Sequence, residues 1–217
     1  MQRKLISDLI EWKNKTHRKP LMLMGARQVG KTWLMKEFGK KEFKKTAYVT
    51  FFNNNRMKNV FETDYDIERI LLNINAETKI SVTPGDTLII LDEIQECPKA
   101  IESLKYFCED APEYYVIAAG SLLGVSIHQN ISFPVGKVDE LNLYPLSFEE
   151  FLLAAEEETL ASILEKKQFN YMVDFKDKYL HWLKNYFYVG GMPEVVSLFF
   201  ETKDYIQVRK LQNTILD

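Results

Sequence analysis

Residues 25–32 of the chain read Gly25-Ala26-Arg27-Gln28-Val29-Gly30-Lys31-Thr32 and match the pattern G-x-x-x-x-G-K-[ST]. The apolar run Leu21-Met22-Leu23-Met24 comes directly before them and is typical of a strand that is buried on both faces. After the pattern, apolar residues recur at helical spacing, at Leu34, Met35 and Phe38. A glycine-rich turn between a buried strand and a helix is the setting in which this pattern binds phosphate, so the sequence predicts a phosphate-binding loop.

The loop residues are predicted to share the binding of a nucleotide. The glycines let backbone N–H groups turn inward around phosphate oxygens, and the N-terminal end of the following helix adds partial positive charge. Lys31 is expected to reach the terminal phosphates, which also makes it a candidate catalytic residue, and the Thr32 hydroxyl is expected to bind Mg²⁺. We therefore predict ATP and Mg²⁺ as ligands. The predicted nucleotide-binding residues are Gly25, Ala26, Arg27, Gln28, Val29, Gly30, Lys31 and Thr32.

An acidic pair follows the apolar run Leu88-Ile89-Ile90-Leu91. Asp92 is predicted to hold the magnesium ion through its coordination shell, and Glu93 is predicted to polarise a water for in-line attack on the γ-phosphate. Acidic residues after a strand are common in proteins of many functions. The interpretation therefore depends on the phosphate-binding loop in the same chain.

Ser121 follows a further apolar run, Tyr115-Val116-Ile117-Ala118-Ala119, and Gly120. If that run is a strand, the Ser121 hydroxyl lies at its carboxyl end and is a candidate catalytic sensor of the γ-phosphate or of the attacking water. The alternative is an ordinary helix N-cap, because Gly-Ser after a strand is common in α/β proteins. The sequence leaves both interpretations open.

Strand and helix patterns alternate along the chain. We expect strands over 21–24, 46–52, 87–91, 114–119 and 138–143, and helices over 3–14, 64–75, 98–109 and from Gly30 onward. This alternation predicts an α/β fold, a P-loop NTPase with a parallel sheet flanked by helices and a ligand site beyond the carboxyl ends of the strands.

Helical patterns dominate the rest of the chain. Ser147 is predicted to cap a helix, with Glu150 at the capping-box position, and further helical periodicity covers 174–188 and 194–216. We therefore expect two domains, a nucleotide-binding core over 1–146 and a smaller helical region over 147–217.

Charge and cysteine content narrow the class of protein. The chain has 217 residues with 28 Lys and Arg against 31 Asp and Glu, a net charge of −3, which argues against a chain-wide surface for nucleic acid. The two cysteines lack metal-ligand spacing and fit a reducing compartment. No apolar stretch approaches the ~20 residues of a membrane span. We therefore expect a cytoplasmic protein without a membrane partner.

Several stretches together carry a resemblance to a known group of proteins. They are Trp12-Lys13, Arg18-Lys19-Pro20, residues 25–32, Leu91-Asp92-Glu93-Ile94-Gln95, Ala119-Gly120-Ser121, Tyr144-Pro145-Leu146-Ser147-Phe148 and Gly190-Gly191-Met192-Pro193-Glu194. In these stretches, which span nearly the whole chain, it resembles the AAA+-like P-loop ATPases of the archaeal-ATPase and STAND-related group. The resemblance implies that the Ser121 strand lies between the Gly25 strand and the Asp92 strand, and that a helical lid follows.

The resemblance also has implications for partners. Members of the group are longer and carry a further C-terminal domain, so it implies a truncated chain whose missing domain binds DNA or a protein client, and it leaves oligomers open. The chain departs from the group at two places: Lys137 follows Gly136 where an arginine is expected, and Phe52 stands where an acidic residue is expected. An arginine-type role is therefore not carried over to Lys137.

Three functions are compatible with the sequence. The first is an ATPase that couples ATP binding and hydrolysis to conformational change of the attached helical and C-terminal regions. The second is a nucleotide-dependent switch with negligible turnover. The third is a small-molecule kinase, which fits less well because Asp92 and Glu93 suit water activation better than binding of a substrate hydroxyl.

Overall fold

One parallel sheet forms the centre of the compact unit that covers Leu5–Leu143. The computed structural model describes residues 2–121 and 133–216, and within this part of the chain five strands pair in the order β2-β3-β4-β1-β5. All four pairings are parallel. The predicted α/β fold is confirmed, as is the position of the Ser121 strand between the Gly25 and Asp92 strands. The strands are β1 (Leu21–Gly25), β2 (Lys45–Thr50), β3 (Thr87–Asp92), β4 (Tyr115–Ser121) and β5 (Asp139–Leu143).

Helices cover both faces of the sheet. They are α1 (Leu5–Lys13), α2 (Lys31–Glu42), α3 (Asn55–Thr63), α4 (Ile67–Thr78) and α5 (Pro98–Asp110), with a short 3₁₀ helix at Ile94–Glu96. Successive side chains of β3 point to opposite faces: Leu88 and Ile90 pack with α1 and α2, whereas Ile89 and Leu91 pack with α3, α4 and α5. This two-sided burial explains why the strands read as continuous apolar runs.

The helix α3 is a feature that the sequence did not predict. The Asn54 side chain accepts a hydrogen bond from the backbone N–H of Met57 at 3.1 Å and so caps the helix. The next helix starts later than predicted, at Ile67, because the Asp66 carboxylate caps α4 by accepting from the Arg69 N–H at 3.2 Å. Asp64, the predicted first residue of that helix, has an extended backbone after the end of α3.

A second compact unit is helical. Its helices are α6 (Phe148–Ala154), α7 (Glu158–Glu165), α8 (Phe169–Asp174), α9 (Lys176–Val189), α10 (Pro193–Thr202) and α11 (Tyr205–Leu216). The predicted capping box is present, with Ser147 and Glu150 bonding each other's backbone N–H groups. The predicted stretch 194–216 is two helices, because Lys203 adopts a left-handed backbone with φ 56°. The Asp204 carboxylate then accepts the Ile206 N–H at 2.8 Å.

Residues before α1 belong to this helical unit and not to the core. The unit comprises the described residues up to Lys4 and those from Tyr144 onward, and the core unit is Leu5–Leu143. Arg3 Nε lies 3.1 Å from Glu150 Oε1, and both side chains are buried. The backbone N–H of Lys4 donates to the same oxygen at 2.8 Å. Glu150 thus serves the capping box and also holds the segment that precedes α1.

Candidate functional site

The loop predicted to bind phosphate begins where three strands end side by side. In the sheet register Gly25 lies opposite Ser121 on one side and Leu143 on the other. A Cβ added at Gly25 would lie 2.4 Å from the Leu143 carbonyl oxygen, which is closer than any side chain allows. Gly30 has φ 95°, a left-handed backbone that favours glycine, and its carbonyl accepts the Leu34 N–H at 2.9 Å to start α2. Two glycines of the pattern are therefore required by packing and by backbone geometry.

The Lys31 side chain folds back over the loop. Its Nζ donates to the carbonyl oxygens of Gly25 at 2.9 Å and Ala26 at 2.8 Å, and the residue is only 7% exposed. Burial lowers the pKa of Lys31, while the negative charges of Glu93 and Asp92 act in the opposite direction. An ammonium group has three protons, so the two carbonyl acceptors among the described residues leave one proton for an anionic oxygen.

Thr32 and Asp92, which the sequence predicts to share a magnesium ion, are in direct contact. Thr32 Oγ1 donates to Asp92 Oδ2 at 2.6 Å, and Asp92 is 2% exposed at the end of β3. The backbone N–H of Glu93 donates to the other oxygen, Asp92 Oδ1, at 3.0 Å. Tyr48 of β2 adds a third donor, with its hydroxyl 3.0 Å from Oδ2. Burial and the Asp92 charge raise the pKa of Tyr48 to about 12, which keeps the phenol protonated as a donor.

Glu93 has a left-handed backbone directly after the strand. Its φ is 52°, a conformation that costs a non-glycine residue of order 1 kcal/mol and is often found at functional positions. The Gln95 amide nitrogen donates to the Glu93 carboxylate. Gln95 is itself buried, and its Oε1 has no hydrogen-bond partner among the described residues. The amide of Gln95 therefore engages the predicted base.

Of the remaining sequence-based candidates, Ser121 lies at this edge of the sheet, whereas Lys137 comes before the amino end of β5 and therefore lies at the opposite edge. Ser121 is buried and ends β4 next to the first residue of the loop. The helix that Ser121 was alternatively predicted to cap falls outside the described residues. Lys137 pairs with Glu109 at 2.8 Å, and Phe52 is 62% exposed after β2. The sequence did not predict the contacts of Tyr48 with Asp92 and of Gln95 with Glu93. A sequence shows that a residue has a hydroxyl or an amide group, but not which residue that group contacts in the fold.

The donor set fits a magnesium ion of the kind that binds with a nucleotide. Mg²⁺ prefers oxygen ligands and is usually held by one or two protein groups together with water and phosphate. The Thr32 hydroxyl and the Asp92 carboxylate supply such oxygens beside the loop. Across residues 2–121 and 133–216 there is no cluster of three or more His, Cys, Asp or Glu side chains able to bind a metal by themselves.

The parallel sheet, the glycine-rich loop after β1 and the acidic pair after β3 define a P-loop ATPase fold. The family model for the AAA domain matches residues 17–152, more than half of the chain, and the chain belongs to that family. The resemblance to AAA+-like P-loop ATPases is thereby confirmed, and the chain carries a nucleotide-binding ATPase domain of the AAA type. No curated protein matches the chain.

Solved structures share the fold at low sequence identity. The chain is similar to the Walker-type ATPase PABY2304 of Pyrococcus abyssi, with a TM-score of 0.55 and 14% identity over 99% of this chain and 72% of that one. Weaker similarities link it to PCH-2 of C. elegans (TM-score 0.43, 13% identity, 74% of this chain and 47% of that one) and to the Aeropyrum pernix ORC1 protein in complex with DNA (0.43, 16%, 72% and 48%). The chain spans about half the length of these two proteins.

Among the helices of residues 2–121 and 133–216, none has both the length and the apolar character needed to cross a membrane.

Proposed function

We propose that the protein is a magnesium-dependent ATPase. The observation that supports this most directly is the 2.6 Å contact between the Thr32 hydroxyl and the Asp92 carboxylate, beside a loop whose lysine keeps a free proton for phosphate. The bound ion would neutralise charge on the β- and γ-phosphates. Lys31 binds the terminal phosphates, the loop N–H groups hold the phosphate oxygens, and Thr32 and Asp92 orient the ion.

Glu93 is proposed as the base that activates water, and Ser121 as a polar sensor at the adjacent strand end. Glu93 directly follows Asp92, the residue proposed to orient the ion, and its negative charge acts on Lys31 of the loop. A carboxylate can take the proton of a water that attacks in line with the leaving oxygen. Ser121 supports phosphate sensing because it neighbours Gly25 across the β1–β4 pairing.

A nucleotide-dependent switch is the second candidate, and one contact favours it. The Gln95 amide donates to the Glu93 carboxylate, so the base is engaged by the protein instead of being available to water. If that contact persists with nucleotide bound, the chain would hold ATP with little turnover. Among the residues that the structure describes, no comparable contact supports the small-molecule kinase.

The ATPase proposal is tested by phosphate release from the purified chain with Mg-ATP. We expect turnover that disappears both on chelation of magnesium and in the Lys31→Ala variant. Nucleotide binding without turnover above that variant would favour the switch, and absence of both binding and turnover would overturn both functions. Coupling to the helical unit, a DNA or protein client bound by a further C-terminal domain, oligomers and a cytoplasmic location stay predictions.

A further inference from the structure

Tyr48 approaches the metal-binding edge from a strand that carries none of the predicted site residues. It lies on β2 opposite Ile90 of β3, and Asp92 follows Ile90 by two residues. Side chains two residues apart on a strand share one face of the sheet. The Tyr48 hydroxyl therefore reaches Asp92 on the face covered by α2, at 3.0 Å from Oδ2.

The three hydrogen bonds to Asp92 divide its carboxylate into two unequal oxygens. Oδ2 accepts hydrogen bonds from two hydroxyl groups, that of Thr32 at 2.6 Å and that of Tyr48 at 3.0 Å. Oδ1 accepts one hydrogen bond from the described residues, that of the Glu93 N–H. A carboxylate oxygen has two lone pairs. Oδ2 is thus saturated by the protein, and Oδ1 retains a lone pair.

The ring of Tyr48 is held in place by a cation on α2. Lys36 Nζ lies over the ring, 3.7 Å from its centroid, a distance at which a cation and an aromatic face attract. Lys36 is four residues after Thr32, so both side chains project from the same face of α2. The strand β2 is therefore linked through Tyr48 to the helix that carries Thr32 and to the strand that carries Asp92.

We propose that Tyr48 is a positioning residue for magnesium: together with Thr32 it fixes Asp92 Oδ2, so that Oδ1 faces the water shell of the ion. This inference rests on the proposed function. Without the Tyr48 hydroxyl, the Asp92 side chain keeps two hydrogen-bond donors, Thr32 and the Glu93 N–H, but its carboxylate can rotate about the side-chain bond. We therefore expect weaker binding of magnesium and unchanged binding of the nucleotide without metal.

The test compares ADP affinity with magnesium and with a chelator, by titration calorimetry, in wild type and in Tyr48→Phe. Hydrogen bonds to charged groups contribute enough that we expect the magnesium-dependent gain in affinity to fall about fivefold or more, with affinity in chelator unchanged. In the ATPase assay, the free magnesium needed for half-maximal turnover should rise more than the maximal rate falls.

Tyr65→Phe is the matched control. Tyr65 also donates to a carboxylate, that of Glu102, and also lies under a lysine, with Lys99 Nζ 5.4 Å from its ring centroid, but it is remote from the loop in sequence and joins other helices. Removing that hydroxyl should leave the magnesium-dependent gain at the wild-type value. Lys36→Met serves as a second variant, and we expect a smaller loss of the same sign because the phenol remains.

The possible results distinguish the role of Tyr48 from the proposed magnesium-dependent ATPase function. A wild-type magnesium-dependent gain that persists unchanged in folded Tyr48→Phe and in Lys36→Met would overturn the role of Tyr48 and leave the ATPase proposal intact. Equal losses in Tyr48→Phe and Tyr65→Phe would also overturn it, because they would indicate general destabilisation. A wild type that binds ADP equally well in chelator would remove the magnesium dependence and the inference with it. Melting curves without nucleotide establish that each variant is folded.

Discussion

A Cβ atom at Gly25 would lie 2.4 Å from the carbonyl oxygen of Leu143, the last residue of β5. The Leu143 carbonyl oxygen is a backbone atom and not the end of a flexible side chain. It can therefore move away only if the end of β5 moves as well. The neighbouring strand therefore requires a glycine at the first position of the loop.

Gly25→Ala should destabilise the core by about 1–3 kcal/mol, the usual cost of overpacking, and should abolish nucleotide binding because the loop is displaced. Urea unfolding and ADP titration measure the two effects. Gly85→Ala is the control: Gly85 also has a positive φ, of 76°, but no heavy atom of the described residues lies within 4 Å of an added Cβ. The Gly85→Ala variant should therefore bind ADP with the same affinity as wild type. Normal ADP binding by Gly25→Ala would contradict the close approach.

Lys31→Ala should weaken nucleotide binding at least tenfold, about 1.4 kcal/mol, because it removes the cation from a site otherwise built of backbone dipoles. A fluorescent ATP analogue can measure the dissociation constants. Lys40→Ala removes an exposed lysine from the same helix and should bind like wild type. Equal dissociation constants for Lys31→Ala and Lys40→Ala would refute the assignment of the loop.

Glu93→Gln should keep Mg-ATP binding and lose hydrolysis by roughly 10²-fold or more, since the amide is nearly isosteric but cannot accept the proton of water. Binding and phosphate release are measured on the same samples. Glu96→Gln, an exposed position that pairs with Lys58 at 3.2 Å, is the control and should retain turnover. Full turnover by Glu93→Gln would exclude Glu93 as the base.

Ser121→Ala distinguishes the two interpretations of that residue. A sensor of phosphate or water should show turnover reduced roughly tenfold or more with ATP affinity retained. An N-cap should instead lower stability by about 1 kcal/mol and leave turnover per folded molecule unchanged. Rates and melting temperatures, measured beside Ser103→Ala in the buried part of α5, decide between them.

Nucleotide binding should slow amide exchange in residues 25–32 and also in part of 186–194, as measured by mass spectrometry. The structural reason is the backbone of Leu146, whose N–H donates to the Gly191 carbonyl at 2.7 Å and whose carbonyl accepts the Tyr186 hydroxyl at 2.7 Å. Leu146 follows closely after Leu143, which touches the loop, so the chain itself connects loop and helical unit.

The control for this exchange experiment is Lys31→Ala, which should lose the protection in both places. Protection confined to the loop and β3 would indicate that the segment around Gly190 is an ordinary loop between helices. In that case the helical unit does not respond to ATP.

The sequence predicted the strands and the loop because their information is local. Four apolar residues before Gly25 and four before Asp92 require burial on both faces, and that requirement fits a parallel sheet. The order of the strands needed the family resemblance, since a run of apolar residues does not specify its neighbour.

The sequence did not predict the helix α3 or the contact between Tyr48 and Asp92. The helix α3 has apolar residues only at Met57, Val60 and Phe61 on its buried side, and its start depends on a single cap at Asn54. The contact of Tyr48 with Asp92 joins residues 44 positions apart in the chain. Periodicity describes the face on which Tyr48 lies, but the partner on that face depends on register, which no local pattern encodes.

The Arg3–Glu150 ion pair, which spans 147 positions, has a consequence for biosynthesis. Arg3 is synthesised before all five strands of the sheet, and its partner Glu150 is synthesised only after them. The helical unit is thus discontinuous in the chain, and the segment before α1 cannot bind its partners until the residues after the core have been made. Closing so long a loop costs entropy that only a folded core reduces, so completion of the helical unit should follow the core as the slower event.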